Sequence, residues 1–362
     1  MQENKITDIF LATINTNTKD SETCVEKKIN GKGYVTYGES NKFPQYLYNL
    51  YSSSATLQSI INGTSDFVIG NDITCNIPNF NKSVNKKGET IRDIIAKISI
   101  DYCIFGAFAL QIIRNMLGEI SEIYWLDVSK LRSDEKNEVF YYSEDWSKSY
   151  GRVKTLLYPK FSIEDTNATS IFYHKGNKAR GTYGTPIWGA AVKNVEIDTA
   201  ITDFHKNELA NNFLGSKLIN FANGMPDKEL REEIENSINE KFTGTQNAGK
   251  IMISFSDGVT NAPKVLNLGT DDFDTRYETL ERRNREQIFT AFRAVPALFG
   301  LMTESTGFNS QEFAESFKLY NRTCVQPIQK SIVETFDKIF GIEGSITIVP
   351  FSIEENKDNN VN

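Results

Sequence analysis

Thr270-Asp-Asp-Phe-Asp-Thr-Arg-Tyr277-Glu-Thr-Leu280-Glu-Arg-Arg-Asn-Arg-Glu-Gln-Ile288-Phe-Thr-Ala291-Phe-Arg-Ala-Val295-Pro296 opens the stretch that decides how this chain is read. It reads as a helix. Thr270, Asp271 and Asp272 supply an N-cap and acid in the first turn, where side-chain oxygens satisfy free amides. Phe273, Tyr277, Leu280, Ile288, Ala291 and Val295 recur at helical spacing and predict a single apolar stripe. Glu278/Arg282 and Glu281/Arg285 are i,i+4 pairs in the favourable acid-first order, and Pro296 is expected to end the helix. Gly300-Leu-Met-Thr-Glu-Ser-Thr-Gly307 then reads as a loop, its glycines admitting turns that other residues resist. Asn309 or Ser310 caps a second helix carrying Phe313, Phe317, Tyr320, Cys324, Ile328, Ile332 and Phe336 on one face. Pro327 lies inside it and deprives the Thr323 carbonyl of its partner, which predicts a kink.

Bulk properties narrow the function classes. The length suits two or three domains or subdomains. Hydrophobic residues make up 39%, so much of the surface stays wet or is buried between subunits. A net charge of −7 argues against a tight grip on nucleic acid through phosphate neutralisation, but not against a wall that lets DNA slide past. Cys24, Cys75, Cys103 and Cys324 are widely separated, which favours free thiols in a reducing compartment. With His174 and His205 the only histidines, a metal site or triad built on several imidazoles is excluded. No signal peptide is evident. The longest apolar run, Tyr102 to Ile113, is too short for a bilayer span, so no membrane partner is expected.

Along the chain, residues 1–36 read as a polar N-terminal arm, mobile or dependent on a neighbour for order. Helices are expected from Pro44 (Leu47, Leu50 and Tyr51 apolar), over about Ala55 to Val68, and over Glu89 to Ile104. Phe105 to Arg114 and Glu119 to Leu126 form a predicted hairpin about Asn115-Met-Leu-Gly118. Strands follow at Glu138–Tyr142, Val153–Tyr158 and Ser170–His174, giving an α+β domain with an antiparallel sheet. A long helix from about Ile187 to Phe213 spans roughly 40 Å. Its apolar residues are Trp188, Ala191, Val195, Ala200, Phe204 and Leu209. Then comes a small α/β module: a strand at Lys217–Phe221, an acidic helix at Pro226–Phe242, and strands at Lys250–Phe255 and Lys264–Asn267. Glu354 to Asn362 is charged, Asn-rich and expected to be disordered.

This order of pieces resembles the portal proteins of tailed bacteriophages. The likeness rests on Arg293-Ala-Val-Pro-Ala-Leu-Phe-Gly300, Phe308-Asn309-Ser310, Val325-Gln-Pro327, Asn211-Asn-Phe-Leu-Gly215 and Phe242-Thr-Gly-Thr-Gln-Asn-Ala-Gly249-Lys-Ile-Met-Ile253. Tyr37-Gly-Glu-Ser-Asn-Lys-Phe-Pro44 and Tyr183-Gly-Thr-Pro186-Ile-Trp fit it too, and it covers roughly Tyr37 to Phe340. The resemblance implies an α+β portal fold: a wing domain at 37–186, stem helices at 187–213 and 272–297, and a clip at 214–271. A tunnel loop at 298–310, a kinked wing helix at 311–345 and a C-terminal tail at 346–362 complete it, with the helical crown absent or vestigial. It further implies a non-enzymatic conduit for double-stranded DNA, a homo-oligomeric ring (a dodecamer) at one capsid vertex of the virion, assembled in the host cytoplasm. The implied partners are the terminase packaging motor, the major capsid protein and head-tail adaptor proteins, with no cofactor. The channel-loop candidates are Leu301, Met302, Thr303, Glu304, Ser305, Thr306, Phe308, Asn309 and Glu312. Those for docking motor and adaptors are Asp227, Glu229, Arg231, Glu232, Glu235 and Lys241 in the clip. Another head–tail connector ring or a metal-dependent nucleic-acid enzyme is the alternative.

Other motifs favour ordinary readings. Gly244-Thr-Gln-Asn-Ala-Gly249-Lys250 matches the phosphate-loop spacing, yet Ile251 stands where Ser or Thr is needed, and a strand follows where a helix should open. A helix-to-strand turn is preferred. Asp271, Asp272 and Asp274 are read as helix-terminal acid rather than metal ligands. Arg282, Arg283 and Arg285 are read as a solvated or inter-subunit face, and both histidines as satisfied surface or packing residues. Phe313, Phe317, Tyr320 and Phe336 are read as core rather than a base-stacking platform.

Overall fold

A computed structural model describes residues 22–28, 31, 33–146, 155–176, 179–210, 217–221, 226–230, 232–234, 251–255, 273–301 and 310–352. The chain divides into two units, Asp20–Glu196 with Asn284–Asn362, and Met1–Lys19 with Ile197–Arg283. The larger is therefore discontinuous: its chain leaves and comes back.

The larger unit begins with a short antiparallel pair, β1 (Glu26–Lys28) and β2 (Val35–Tyr37), then α1 (Phe43–Ser53) and α2 (Ala55–Ile69). Pro44 occupies the first turn of α1, where its missing N–H costs nothing. The Ser54 hydroxyl caps α2 by accepting from Leu57 N. After β3 (Asp72–Cys75), a reciprocal capping box between Thr90 and Asp93 starts α3 (Ile91–Phe105), and left-handed Gly106 ends it. Ile91, Ile94, Ile95 and Ile98 are buried as their spacing predicted.

A near-continuous apolar run, Ala107-Phe-Ala-Leu110, buried on both faces, puts β4 (Ala107–Arg114) at the centre of an antiparallel sheet, between β5 (Ile120–Leu126) and β9 (Thr169–Lys175). The hairpin predicted at Asn115–Gly118 joins β4 to β5; the Asn115 side chain accepts from Leu117 N and Glu119 N. A second antiparallel sheet runs β6 (Leu131–Ser133), β7 (Val139–Tyr142) and β8 (Leu156–Pro159).

The chain then passes through a tight turn at Gly189–Ala191 into α4 (Val192–Ala210). The smaller unit holds β10 (Lys217–Phe221) and β11 (Ile251–Phe255), paired in parallel. The crossover required by parallel pairing passes through the Asp227–Glu232 region. The predicted strand at Lys264–Asn267 lies outside the described residues. Helix α5 (Phe273–Phe292) returns to the larger unit, followed by α6 (Ser310–Tyr320), a π-helical turn at Asn321–Val325, α7 (Gln326–Phe340) and β12 (Ile346–Val349). Ile328, Ile332, Phe336 and Ile339 of α7 are buried, so the stripe predicted for this helix is core.

Several expectations need correction. Glu26–Lys28 is not a loose arm: it pairs with β2, and the Glu26 carboxylate accepts from Thr182 N and Tyr183 N. Nor is Ile346–Val349 part of a tail, because β12 pairs antiparallel with β3 from Ile346↔Cys75 to Val349↔Asp72. The long stem helix begins at Val192 rather than Ile187, since Trp188 is buried and its indole donates to the Cys103 carbonyl. Pro296 does not end α5, which stops at Phe292 with Arg293 left-handed. Leu280 is exposed while Asn284, Ile288, Phe289 and Phe292 are buried, so the buried stripe begins only where α5 re-enters the larger unit.

His174 on β9 stacks on Phe108 at 4.8 Å, as a packing residue, but its buried Nε2 finds no hydrogen-bond partner among the described residues. Burial, then the nearby Lys338, holds its pKa down at about 4 from the ordinary 6.5; Glu334 opposes this. The unfolded chain therefore binds this proton first. Native stability is full above pH 6.5 and is lost as pH falls toward about 4. In His174→Leu, denaturation midpoints across that interval should lose much of their pH dependence, and an unaltered profile would refute the assignment.

Candidate functional site

Two motifs far apart in the sequence meet in the larger unit. Tyr37 and Tyr183 stack with ring centroids 4.2 Å apart and planes 4° from parallel. The Tyr37 hydroxyl donates to the Gly184 carbonyl at 2.7 Å; that of Tyr183 donates to the Val35 carbonyl and accepts from Ser133 N at 3.0 Å. Glycine is required at 184 because a Cβ there would stand 2.6 Å from that of Ala107. Beside the stack lies Arg132, fully buried, its guanidinium 5.9 Å from the Tyr37 ring and 4.9 Å from that of Trp146. It donates to the Asn41 side-chain oxygen (2.7 Å), the Asn41 carbonyl (2.6 Å) and the Leu131 carbonyl (2.7 Å). Burial lowers its pKa to about 10, which leaves it charged at neutral pH. A buried charge so fully satisfied orders its surroundings and performs no chemistry.

The two stem-helix candidates approach one another at their roots. Asn194 Nδ2 of α4 donates to Asn284 Oδ1 of α5 at 2.9 Å, and Asn284 Nδ2 donates to the Asn194 carbonyl at 2.7 Å. Val195, Ile288 and Phe289 are buried around this clasp, and the Tyr46 hydroxyl of α1 donates to the Glu196 carboxylate.

Beyond α5, a tight turn at Pro296–Phe299 and left-handed Gly300 lead to Leu301, half-buried against the core. Phe299 lies 6.1 Å from Phe67, 6.1 Å from Phe289 and 5.6 Å from Tyr320. Gly63 on α2 makes room for it: a Cβ there would come within 2.9 Å of the Phe299 ring. On the returning side, Phe317 of α6 meets Phe67 at 5.2 Å and Phe351 at 5.5 Å. The Tyr320 hydroxyl shares a 2.7 Å hydrogen bond with Thr64. Both ends of the candidate channel loop thus rest on α2. Met302, Thr303, Glu304, Ser305, Thr306, Phe308 and Asn309 lie outside the described residues, whereas Glu312 is exposed on the first turn of α6. Phe317, Tyr320 and Phe336 are buried and cannot form a base-stacking platform.

Pro327 sits in the first turn of α7, directly after the π-helical turn, where Gln326 N donates to the Asn321 carbonyl across five residues. The predicted single helix is thus interrupted by a widened turn, one of the recognised causes of a bend. No sequence signal separated that device from a plain proline kink.

In the smaller unit, the docking candidates Asp227, Glu229 and Glu232 are exposed, and the Asp227 side chain accepts from Leu230 N at 2.9 Å. Arg231, Glu235 and Lys241 lie outside the described residues, as do Gly244–Lys250, Asp271 and Asp272. The side chain of Asp274 is likewise not described. Among the described residues, no three His, Cys, Asp or Glu side chains gather as metal ligands would, and no helix is long and apolar enough to cross a membrane. Sequence reasoning had missed the Tyr37–Tyr183–Arg132 node and the Asn194–Asn284 clasp. The tyrosine-glycine motifs were visible, but nothing local marks them as partners.

Comparison with known proteins agrees with this geometry. The family model described as phage portal protein matches residues 81–355, and the chain belongs to that family. No curated protein matches the chain. Among solved structures, a chain in the virion of a native gene transfer agent particle is similar at 16% identity and a TM-score of 0.56, covering 85% of this chain and 83% of that one. A chain from the neck of the native particle, computed with C12 symmetry, gives 17% identity, a TM-score of 0.53 and coverage of 85% and 84%. One from the neck of the empty particle, computed with C6 symmetry, gives 15%, 0.55, 85% and 84%. These likenesses establish a shared mixed helix-and-strand portal fold.

The clasp sets a measurable expectation. Truncation in Asn284→Ala leaves Asn194 without its amide partner and should lower unfolding stability by about 1–3 kcal/mol. The readout is the denaturation midpoint at an unchanged m-value; a loss below about 0.5 kcal/mol would show that the clasp is water-satisfied.

Proposed function

We propose that this protein is a non-enzymatic ring subunit at a single capsid vertex, through which double-stranded DNA is driven during packaging and released during ejection. Membership of the portal family supports this most directly. The observation that carries it structurally is the Asn194–Asn284 clasp. It holds the departing and returning helices side by side, as a stem requires. The similar gene transfer agent necks were computed with C12 and C6 symmetry, which supports a closed cyclic assembly of this chain, a dodecamer, in a virion.

In this reading α4 and α5 are the stem, the module around β10 and β11 is the clip, and residues 298–310 project into the channel. A conduit works by binding DNA weakly along its wall. Acid at Glu304 and Glu312 repels phosphate and keeps the polyanion from adhering. The exposed acid of the clip (Asp227, Glu229, Glu232), with Arg231, Glu235 and Lys241, offers a docking surface for a terminase motor and later for head–tail adaptors. The wing faces the capsid protein. Assembly precedes incorporation into the capsid and takes place in the host cytoplasm.

Averaged negative-stain images of the purified protein should show a flanged ring with a narrow stem and an axial channel. A flat ring would favour an adaptor instead, and a compact monomer would refute both. Within an intact ring, Glu304→Lys should slow or stall packaging; normal packaging kinetics would remove Glu304 from the wall.

A further inference from the structure

Three rings from segments distant in sequence close on one another near the end of α2. Phe67 of α2 lies 5.2 Å from Phe317 of α6 and 5.6 Å from Phe351, which follows β12; Phe317 and Phe351 are 5.5 Å apart. Two of these contacts are edge-to-face and the third is tilted, the arrangements that a ring quadrupole favours. Phe67 also meets Phe299, 6.1 Å away on the approach to the candidate channel loop. One side chain of α2 therefore touches the segment entering the loop, the helix leaving it, and the C-terminal end of the described chain.

The third of these contacts depends on a glycine. Gly70 ends α2 at φ +67°, and a Cβ there would stand 2.2 Å from the Val349 carbonyl oxygen. Asn71 N donates to that same oxygen at 2.9 Å. Glycine at 70 thus lets the end of β12 lie close against α2, in register with β3 through Val349↔Asp72. Two residues later Phe351 falls on Phe67 and Phe317. Phe317 is 5% exposed, yet it stands apart from the main apolar cluster, which α6 joins through Tyr320. Phe351 is 39% exposed and is the outermost ring of the three. It can leave without opening the main core, whereas Phe317 cannot keep its burial once Phe351 has gone. Elements held by so few contacts are the ones that open locally while the rest stays folded.

We propose that Phe351 is a positioning residue for the channel loop. Docked on Phe317, it holds α6, and with it the exit of the loop, against α2. Undocked, it frees the exit of the loop and leaves the core of the larger unit intact. The C-terminal end of the chain and the loop then share one element, and displacement of the first loosens the second. The assignment of the loop to a channel rests on the conduit reading above.

Amide hydrogen exchange of the full-length protein, in the assembly it forms, reads the clamp directly. In Phe351→Ala, amides of Ser310–Tyr320 should exchange about tenfold faster, while those of Ile91–Phe105 in α3 keep wild-type rates. Phe351→Tyr retains the ring and should keep wild-type protection throughout. The melting temperature of Phe351→Ala should fall by no more than about 4 °C, so faster exchange would not reflect global unfolding. An intact Phe351→Ala ring should package DNA more slowly than wild type, and the Phe351→Tyr ring at the wild-type rate. Unchanged exchange in α6, or acceleration spread equally over α3, overturns the proposal. Normal packaging beside accelerated α6 exchange overturns it too, because the ring would then be a structural contact alone. Images of the wild-type protein separate this from the reading beneath it. A channelled particle whose α6 is indifferent to Phe351 removes the clamp only, whereas a particle without a channel removes the conduit itself.

Discussion

Asn194 and Asn284 exchange two hydrogen bonds at the point where the chain departs from the larger unit and the point where it comes back. Apolar contacts around them, such as those of Val195 and Ile288, are non-directional and tolerate sliding. Amides do not. Displaced by one residue, the buried Asn284 side chain would lose the partners of both its donor and its acceptor. The clasp therefore sets the register between α4 and α5, and with it where the smaller module begins.

The returning chain is captured by α2. Gly63 admits the ring of Phe299, Phe67 receives Phe317, and Thr64 bonds the Tyr320 hydroxyl, so both ends of the loop between α5 and α6 bear on one helix. Edge-to-face ring contacts of this sort are individually small and jointly directional. The two ends of that loop are thus fixed by the core of the larger unit. A second anchor is the Tyr37–Tyr183 stack with buried Arg132, which ties β2 to the turn that precedes α4.

These anchors combine packing with a few buried polar contacts. The core of the larger unit is mainly aromatic and aliphatic, while Arg132, Asn284 and Thr64 fix direction through hydrogen bonds. In the proposed conduit role, the net charge of −7 of this portal-family chain would keep a polyanion from adhering to it.

By itself, the amino-acid sequence determined the local elements. The isoleucine spacing of α3, the Asn115–Gly118 turn and the apolar run of β4 act through neighbours a few residues away, where local pattern leaves a signature. Only the tertiary structure decided the long-range partners. Pairing of Ile346–Val349 with Asp72–Cys75, the meeting of Tyr37 with Tyr183, the exposure of Leu280 and the widened turn before Pro327 depend on segments distant in sequence. Such contacts become favourable only after closing a long stretch of chain, a cost repaid jointly by the whole core and recorded in no single segment.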